Sequence, residues 1–188
     1  MADDMVKNAI RRTKCFWYLP QIIWFNFHYL PFKQAIKLPI LLYKPKLLRC
    51  KGTLTLNGAI SFGIIKLGFY TVPNYPNNGI IWNVRGNVII EDFCIIGNDS
   101  LIDVGEKGTL TLGKHFVSSA ALKINCYNSI SFGSNNMIGF DNHFIDTNIH
   151  TYKIVKRGRE FKAKGYAPIV IGSYNWFGFG ITTIAGTT

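Results

Sequence analysis

Acidic side chains are missing from almost half of this chain. Between Met5 and Ile90 there is no Asp or Glu, against twelve Lys and Arg, while the remainder is nearly balanced and the total is +11. A chain basic throughout suggests nucleic acid. A basic half beside a balanced half points instead to one surface that faces something acidic, and nucleic acid is not an expected partner. Cysteine is scarce as well. Cys15, Cys50, Cys94 and Cys126 are scattered, with no CxxC and no histidine at metal-ligand spacing. Such spacing excludes a disulfide scaffold and a zinc finger, and predicts reduced thiols, with Cys94 and Cys126 filling small interior sites. Long apolar runs are also lacking. The most apolar stretch, Cys15 to Phe32, is interrupted by Pro20, Gln21, Asn26, His28 and Pro31, too short and too polar to span a bilayer. The first residues are acidic rather than basic, and no small-residue cleavage site follows an apolar core. The expectation is a cytoplasmic protein, with the inner membrane surface as its alternative location.

What the chain does have is apolar material, 48% of 188 residues, enough for one domain with a core. It also has a beat. Phe132, Ile138 and Phe144 are six apart, as are Ile90, Ile96 and Ile102, then Leu112, Ser118 and Ile124, and finally Ile171, Phe177 and Thr183. Gly97, Asp103, Gly113, Gly133, Gly139, Gly172 and Gly178 each directly follow an apolar residue of the beat. Alternating strands place apolar residues at every even spacing. A small or acidic residue after each is a further restriction, which corners every six residues explain, since a sharp turn leaves little room for a side chain. The pattern predicts an all-β parallel β-helix whose three hexads make one triangular coil of about eighteen residues, about five coils in all. A fainter start is read at Leu56, Phe62 and Gly68. The predicted organisation is an N-terminal cap segment over 1–50 and a repeat over 51–188, with loops extruded near 69–87 and 147–167.

The cap segment interleaves aromatics with base. Phe16, Trp17, Tyr18, Trp24, Phe25, Phe27, Tyr29 and Phe32 lie among Arg11, Arg12, Lys14, Lys33 and Lys37. A helix is expected over Val6 to Ile23, broken at Pro20. One reading is a lid for the open end of the coil, where strand edges and apolar side chains need cover. The other is peripheral contact with a membrane interface. One segment can do both.

Two segments carry chemistry. The first is Ile145-Asp146-Thr147-Asn148-Ile149-His150, where the beat stops. The second is Pro168-Ile169-Val170-Ile171-Gly172-Ser173-Tyr174-Asn175-Trp176-Phe177-Gly178-Phe179-Gly180. These segments, their order and the loop between them resemble the hexapeptide-repeat acyltransferases, and among those the bacterial sugar and polysaccharide O-acetyltransferases. The resemblance implies a left-handed helix, a homotrimer, an active site between neighbouring subunits and acetyl-CoA as donor. It implies His150 as the catalytic base. Imidazole has a pKa suited to taking a proton from a sugar hydroxyl and returning it to a departing thiolate. It further implies acceptor contacts from Asp146 and Asn148, the latter standing where the family often has a carboxylate, and a donor arm beside Trp176, Gly178 and Gly180. Asp146 has a second reading as a turn-forming residue, and Trp176 as a packing residue. The loop 152–166 is read as a solvated charge run, with phosphate contact as its alternative. No metal is expected; a zinc site from His115, His143 and His150 does not match the resemblance. A non-catalytic β-helix that binds a membrane surface or a glycan through its basic half is the competing function. The family usually continues past Ile184-Ala185-Gly186-Thr187-Thr188 with further hexads that help form the donor pocket.

Overall fold

A computed structural model describes residues 15–69, 72, 74–148, 153–156, 159–162 and 165–188, with backbone alone for 15–16 and for the two segments between 153 and 162. A 3-10 turn, Cys15–Tyr18, leads into helix α1 (Leu19–Tyr29) and a short helix α2 (Phe32–Ala35). Pro20 does not break α1 as the sequence reading expects. It occupies the first turn, where its missing N–H has no intrahelical partner to lose. The part of the expected helix before Cys15 lies outside the described residues.

Strands then come in threes. The first coil is β1 (Ile40–Leu42), β2 (Pro45–Cys50) and β3 (Thr53–Leu56). The second is β4 (Ile65–Phe69), β5 (Ile80–Val84) and β6 (Asn87–Ile90). The third is β7 (Cys94–Gly97), β8 (Ser100–Val104) and β9 (Thr109–Leu112). The fourth is β10 (Phe116–Ser118), β11 (Lys123–Cys126) and β12 (Ser129–Phe132). The fifth, β13 (Met137–Ile138) and β14 (His143–Ile145), is interrupted by a hairpin, β15 (Lys153–Lys156) and β16 (Arg159–Lys162), before β17 (Ile169–Ile171) completes it. The sixth has β18 (Trp176–Phe177) and β19 (Thr182–Ile184). Each side of the prism is one parallel sheet, ordered β1-β4-β7-β10-β13-β18, β2-β5-β8-β11-β14-β19 and β3-β6-β9-β12-β17. Among the described residues the fold is an all-β parallel β-helix of five coils and two sides of a sixth, against the five or so that the beat predicts.

Three boundaries differ from the sequence reading. The first coil begins at Ile40, so β1 and β2 belong to the prism and not to the cap. The extrusion expected over 69–87 is confined to the chain between β4 and β5, and β5 is a full member of the second sheet. Phe62, expected inside, is exposed, because a long corner between β3 and β4 lets Ile65 and Leu67 take the interior positions. From Ile90 onward the beat is borne out: Ile102, Ile124 and Phe144 are buried one above another in the second sheet. The coil is longer than eighteen residues. Ile90 lies beside Leu112, and Ile124 beside Phe144, because the corner between the second and third sheets takes additional residues.

Alternation does the packing. In β5 the burial pattern puts Ile80, Trp82 and Val84 inside and Ile81 and Asn83 outside. Aromatic rings fill the far half of the interior, with Phe116–Phe132, Phe132–Phe144 and Phe144–Phe177 in edge-to-face contact at 5.0, 4.9 and 5.3 Å. Each buried Phe contributes about 2–3 kcal/mol of transfer free energy. Cys94 and Cys126 are buried free thiols of this interior, and burial pushes the Cys126 thiol up to about 12. At the other end α1 acts as the lid. Phe25 packs edge-on against Trp82 at 5.3 Å, and Trp82 Nε1 donates to the Tyr29 hydroxyl at 3.0 Å. Asn26, buried in α1, clips the helix to β1. Its Nδ2 donates to the carbonyls of Ile22 and Ile40 at 2.8 Å, and Ile40 N donates to its Oδ1 at 3.1 Å.

Candidate functional site

The chain leaves the prism at the corner after β14. Asp146 at that corner is 0% exposed. Its Oδ1 accepts from Tyr127 N at 2.7 Å and its Oδ2 from Asn128 N at 2.8 Å. Those two N–H groups start the corner of the coil below and have no strand partner, so the carboxylate supplies what the backbone cannot. The turn-forming reading of Asp146 is the one its contacts describe. Beyond it the excursion is pinched at its neck. Asn148 N donates to Gly165 O at 2.8 Å, Thr147 Oγ1 to Gly165 O at 3.0 Å, and Ala167 N to Asp146 O at 3.1 Å. Asn148 is exposed at this neck. His150 lies outside the described residues. In the hairpin, Lys153 pairs with Lys162 and Lys156 with Arg159 in backbone register.

Trp176 stands on the first sheet, beside Met137, and is 75% exposed. Two buried asparagines carry its coil. Asn136 Oδ1 accepts from Asn175 N at 3.0 Å, and its Nδ2 donates to Gly172 O at 2.9 Å. Asn142 Nδ2 donates to Gly178 O at 2.9 Å, and its Oδ1 accepts from Ile181 N at 3.0 Å. A Cβ on Gly139 would sit 1.9 Å from Gly178 O, whereas one on Gly178 would meet nothing within 4 Å. Gly180 has φ +67°, a left-handed corner with open space around it. The backbone at Gly178 is therefore held from below by Asn142. Trp176 and Asp146 lie on different sides of the prism, and one chain does not bring them together.

The described residues hold a second polar arrangement, which the sequence reading missed. Asn83, Asp103 and Asn125 sit one above another on the outer face of the second sheet. Asn83 Nδ2 donates to Asp103 Oδ1 at 2.7 Å, Asn125 Nδ2 to Asp103 Oδ2 at 3.2 Å, and the Tyr127 hydroxyl to Asp103 Oδ2 at 2.9 Å. Asn125 Oδ1 lies 2.7 Å from His143 Nε2. Because Asp103 accepts from the amide nitrogen of Asn125, its Oδ1 faces the histidine, and Nε2 carries the proton. Nδ1 is then the basic nitrogen. Partial burial, and next the neighbouring Lys123 ammonium, hold the His143 pKa below its ordinary value, which favours the neutral ring. Burial and the Asp103 hydrogen bond raise the Tyr127 phenol. The only signal in the sequence is polar residues at spacings of one coil, legible once the coil length is known.

His115 sits at a left-handed corner with φ 55°, away from the face of His143. Among the described residues no three His, Cys, Asp or Glu converge as metal ligands. A cleft of about 410 Å³ opens between the helices and β3, lined by His28, Tyr29, Gln34 and Thr53 among others, remote from Asp146 and Trp176. Compared with models of known families, with curated proteins and with solved structures, the chain matches none.

Proposed function

We propose that this chain transfers an acetyl group from acetyl-CoA to a hydroxyl of a sugar or polysaccharide precursor, acting as a homotrimer. The observation that carries the reading is the pairing of fold and interruption. A three-sided parallel β-helix breaks after Asp146, ahead of the Thr147-Asn148-Ile149-His150 segment, and resumes with a coil that carries the exposed Trp176. The separation of Asp146 from Trp176 favours a site shared between copies: a neighbour would bring its Trp176 coil to this chain's Asp146–His150 corner.

In this reading His150 takes the proton of the acceptor hydroxyl as its oxygen attacks the thioester carbonyl. The C–S bond then breaks, and the proton passes from the imidazolium to the leaving thiolate. Backbone N–H groups near Gly178 and Gly180 stabilise the oxyanion, and Trp176 packs beside the donor arm. Asp146 acts by fixing the corner from which His150 departs, and Asn148 contacts the acceptor.

The test is thiol release from acetyl-CoA across a panel of sugars and nucleotide-sugars, with CoA binding followed by calorimetry. The expected result is a loss of at least about a hundredfold in turnover for His150→Ala, with CoA binding kept. Turnover unchanged by His150→Ala, or no CoA binding by the intact chain, overturns the reading.

A further inference from the structure

Helix α1 is apolar on the side it has no reason to be. Ile22, Phe25 and Asn26 recur at helical spacing and are buried against the coil, with Tyr29 half-buried behind them. The other face of a lid helix ordinarily carries charge. Here it carries Ile23, Trp24 and Phe27, and the flanking turns add Trp17, Phe32 and Ile36, all exposed. Trp17 is 83% and Phe32 68% exposed, and Trp24 and Phe27 are 47% and 44% exposed. The face is also organised: Trp24 stacks on His28 at 4.6 Å, and Phe27 meets Phe32 edge-on at 5.9 Å. The loop before β4 joins the same end, where Lys37 Nζ donates to Ile60 O and Gly63 N to Leu38 O. Phe62 stands exposed between those two ties.

The helices and the chain from Met5 that leads into them carry charge of one sign. Lys33 and Lys37 are exposed within the patch, Arg11, Arg12 and Lys14 precede it in the chain, and no acidic residue occurs from Met5 to Ile90. A face meant for a second protein would gain specificity from both signs. A face of Trp and Phe with Lys33 and Lys37 exposed within it matches an anionic lipid surface, where indole rings sit at headgroup level and cations meet phosphate. No helix among the described residues is long and apolar enough to cross a membrane. Eleven residues of α1 make a rod of roughly 16 Å, which suits lying in the interface.

We infer that the outer face of α1 and α2, with Phe62, docks this protein onto an anionic bilayer, its coil standing away from the surface.

The experiment is co-sedimentation of the full chain with vesicles of phosphatidylcholine alone and of phosphatidylcholine mixed with phosphatidylglycerol, at low and high salt. Tryptophan emission is recorded on the same samples. Binding to the mixed vesicles, weakened by salt, with a blue shift of emission, is expected. Trp24→Ser/Phe27→Ser should lower partitioning by more than about tenfold. Lys33→Glu/Lys37→Glu should lower it on the order of tenfold on anionic vesicles. Val170→Ser, exposed in β17 of the fifth coil, should leave it unchanged. Circular dichroism checks that each variant is folded. A chain that stays in the supernatant with both vesicles, or double variants that bind like wild type, overturns the inference. So does an oligomer that Trp24→Ser/Phe27→Ser dissociates while vesicle binding is absent, which would make a second copy the occupant. None of these readouts depends on acetyl transfer.

Discussion

His143 Nε2 and Asn125 Oδ1 meet at 2.7 Å on the outer face of the second sheet, and the amide between them is oriented by Asp103. The tautomer of His143 thus follows from a carboxylate two coils below it. The groups facing the ring are Asn125, Lys123 and Thr182, with Asp141 ion-paired to Lys123 at 3.8 Å.

The first prediction concerns that ring. Nitrogen chemical shifts should show the proton on Nε2, and the titration midpoint should fall below 6.5. The sign for stability follows. The folded state disfavours the charged ring, so the unfolded chain binds the proton first as pH falls. Stability from this residue is fully present above 6.5 and is lost as pH drops through the lowered folded value. Urea denaturation across that window should show the loss, and His143→Gln should flatten it.

Asp146 should matter for folding independently of catalysis. Asp146→Ala leaves the N–H groups of Tyr127 and Asn128 without acceptors, at a cost of about 2–4 kcal/mol. Asp146→Asn keeps one acceptor and should lose less. Chemical denaturation of the two variants measures the difference, and equal stabilities of Asp146→Ala and wild type would contradict the assignment.

Two glycines in adjacent coils should respond oppositely. Gly139→Ala drives a methyl into the Gly178 carbonyl and should destabilise by about 1–3 kcal/mol. Gly178→Ala meets open space and should leave the melting temperature nearly unchanged.

Removing the Asn26 clip should release the lid. Asn26→Ala leaves the N–H and carbonyl of Ile40 without their side-chain partners, and a loss of about 2–3 kcal/mol is expected. Limited proteolysis should then cut near α1 before it cuts the coils, whereas wild type resists at both places.

Much of this architecture is local in origin and could be read from the chain. Ile102, Ile124 and Phe144 are interior because strands alternate and corners recur after six residues. The buried Cys94 and Cys126 fit the same pattern. Phe62 and Ile40 depart from the beat, because the corner between β3 and β4 is long and the beat carries no phase across it. Pro20 is no break, because a proline's effect depends on whether it falls inside a helix or in its first turn, and that is set by where α1 begins.

From Ile90 onward the sequence by itself determined which apolar side chains face inward, since that depends on neighbours two and six positions away. It also determined the one-signed charge of the first half and the two segments that carry the acyl-transfer reading. Only the tertiary structure decided the coil length, and with it every contact between coils. Asn83, Asp103, Asn125 and His143 are about a coil apart in the chain and become a hydrogen-bonded column only when parallel strands stack in register. The same stacking turns Asp146 inward onto the Tyr127–Asn128 corner and leaves the rings of α1 facing solvent. Burial of a polar or aromatic group depends on what the next coil brings beside it, and no local pattern encodes that.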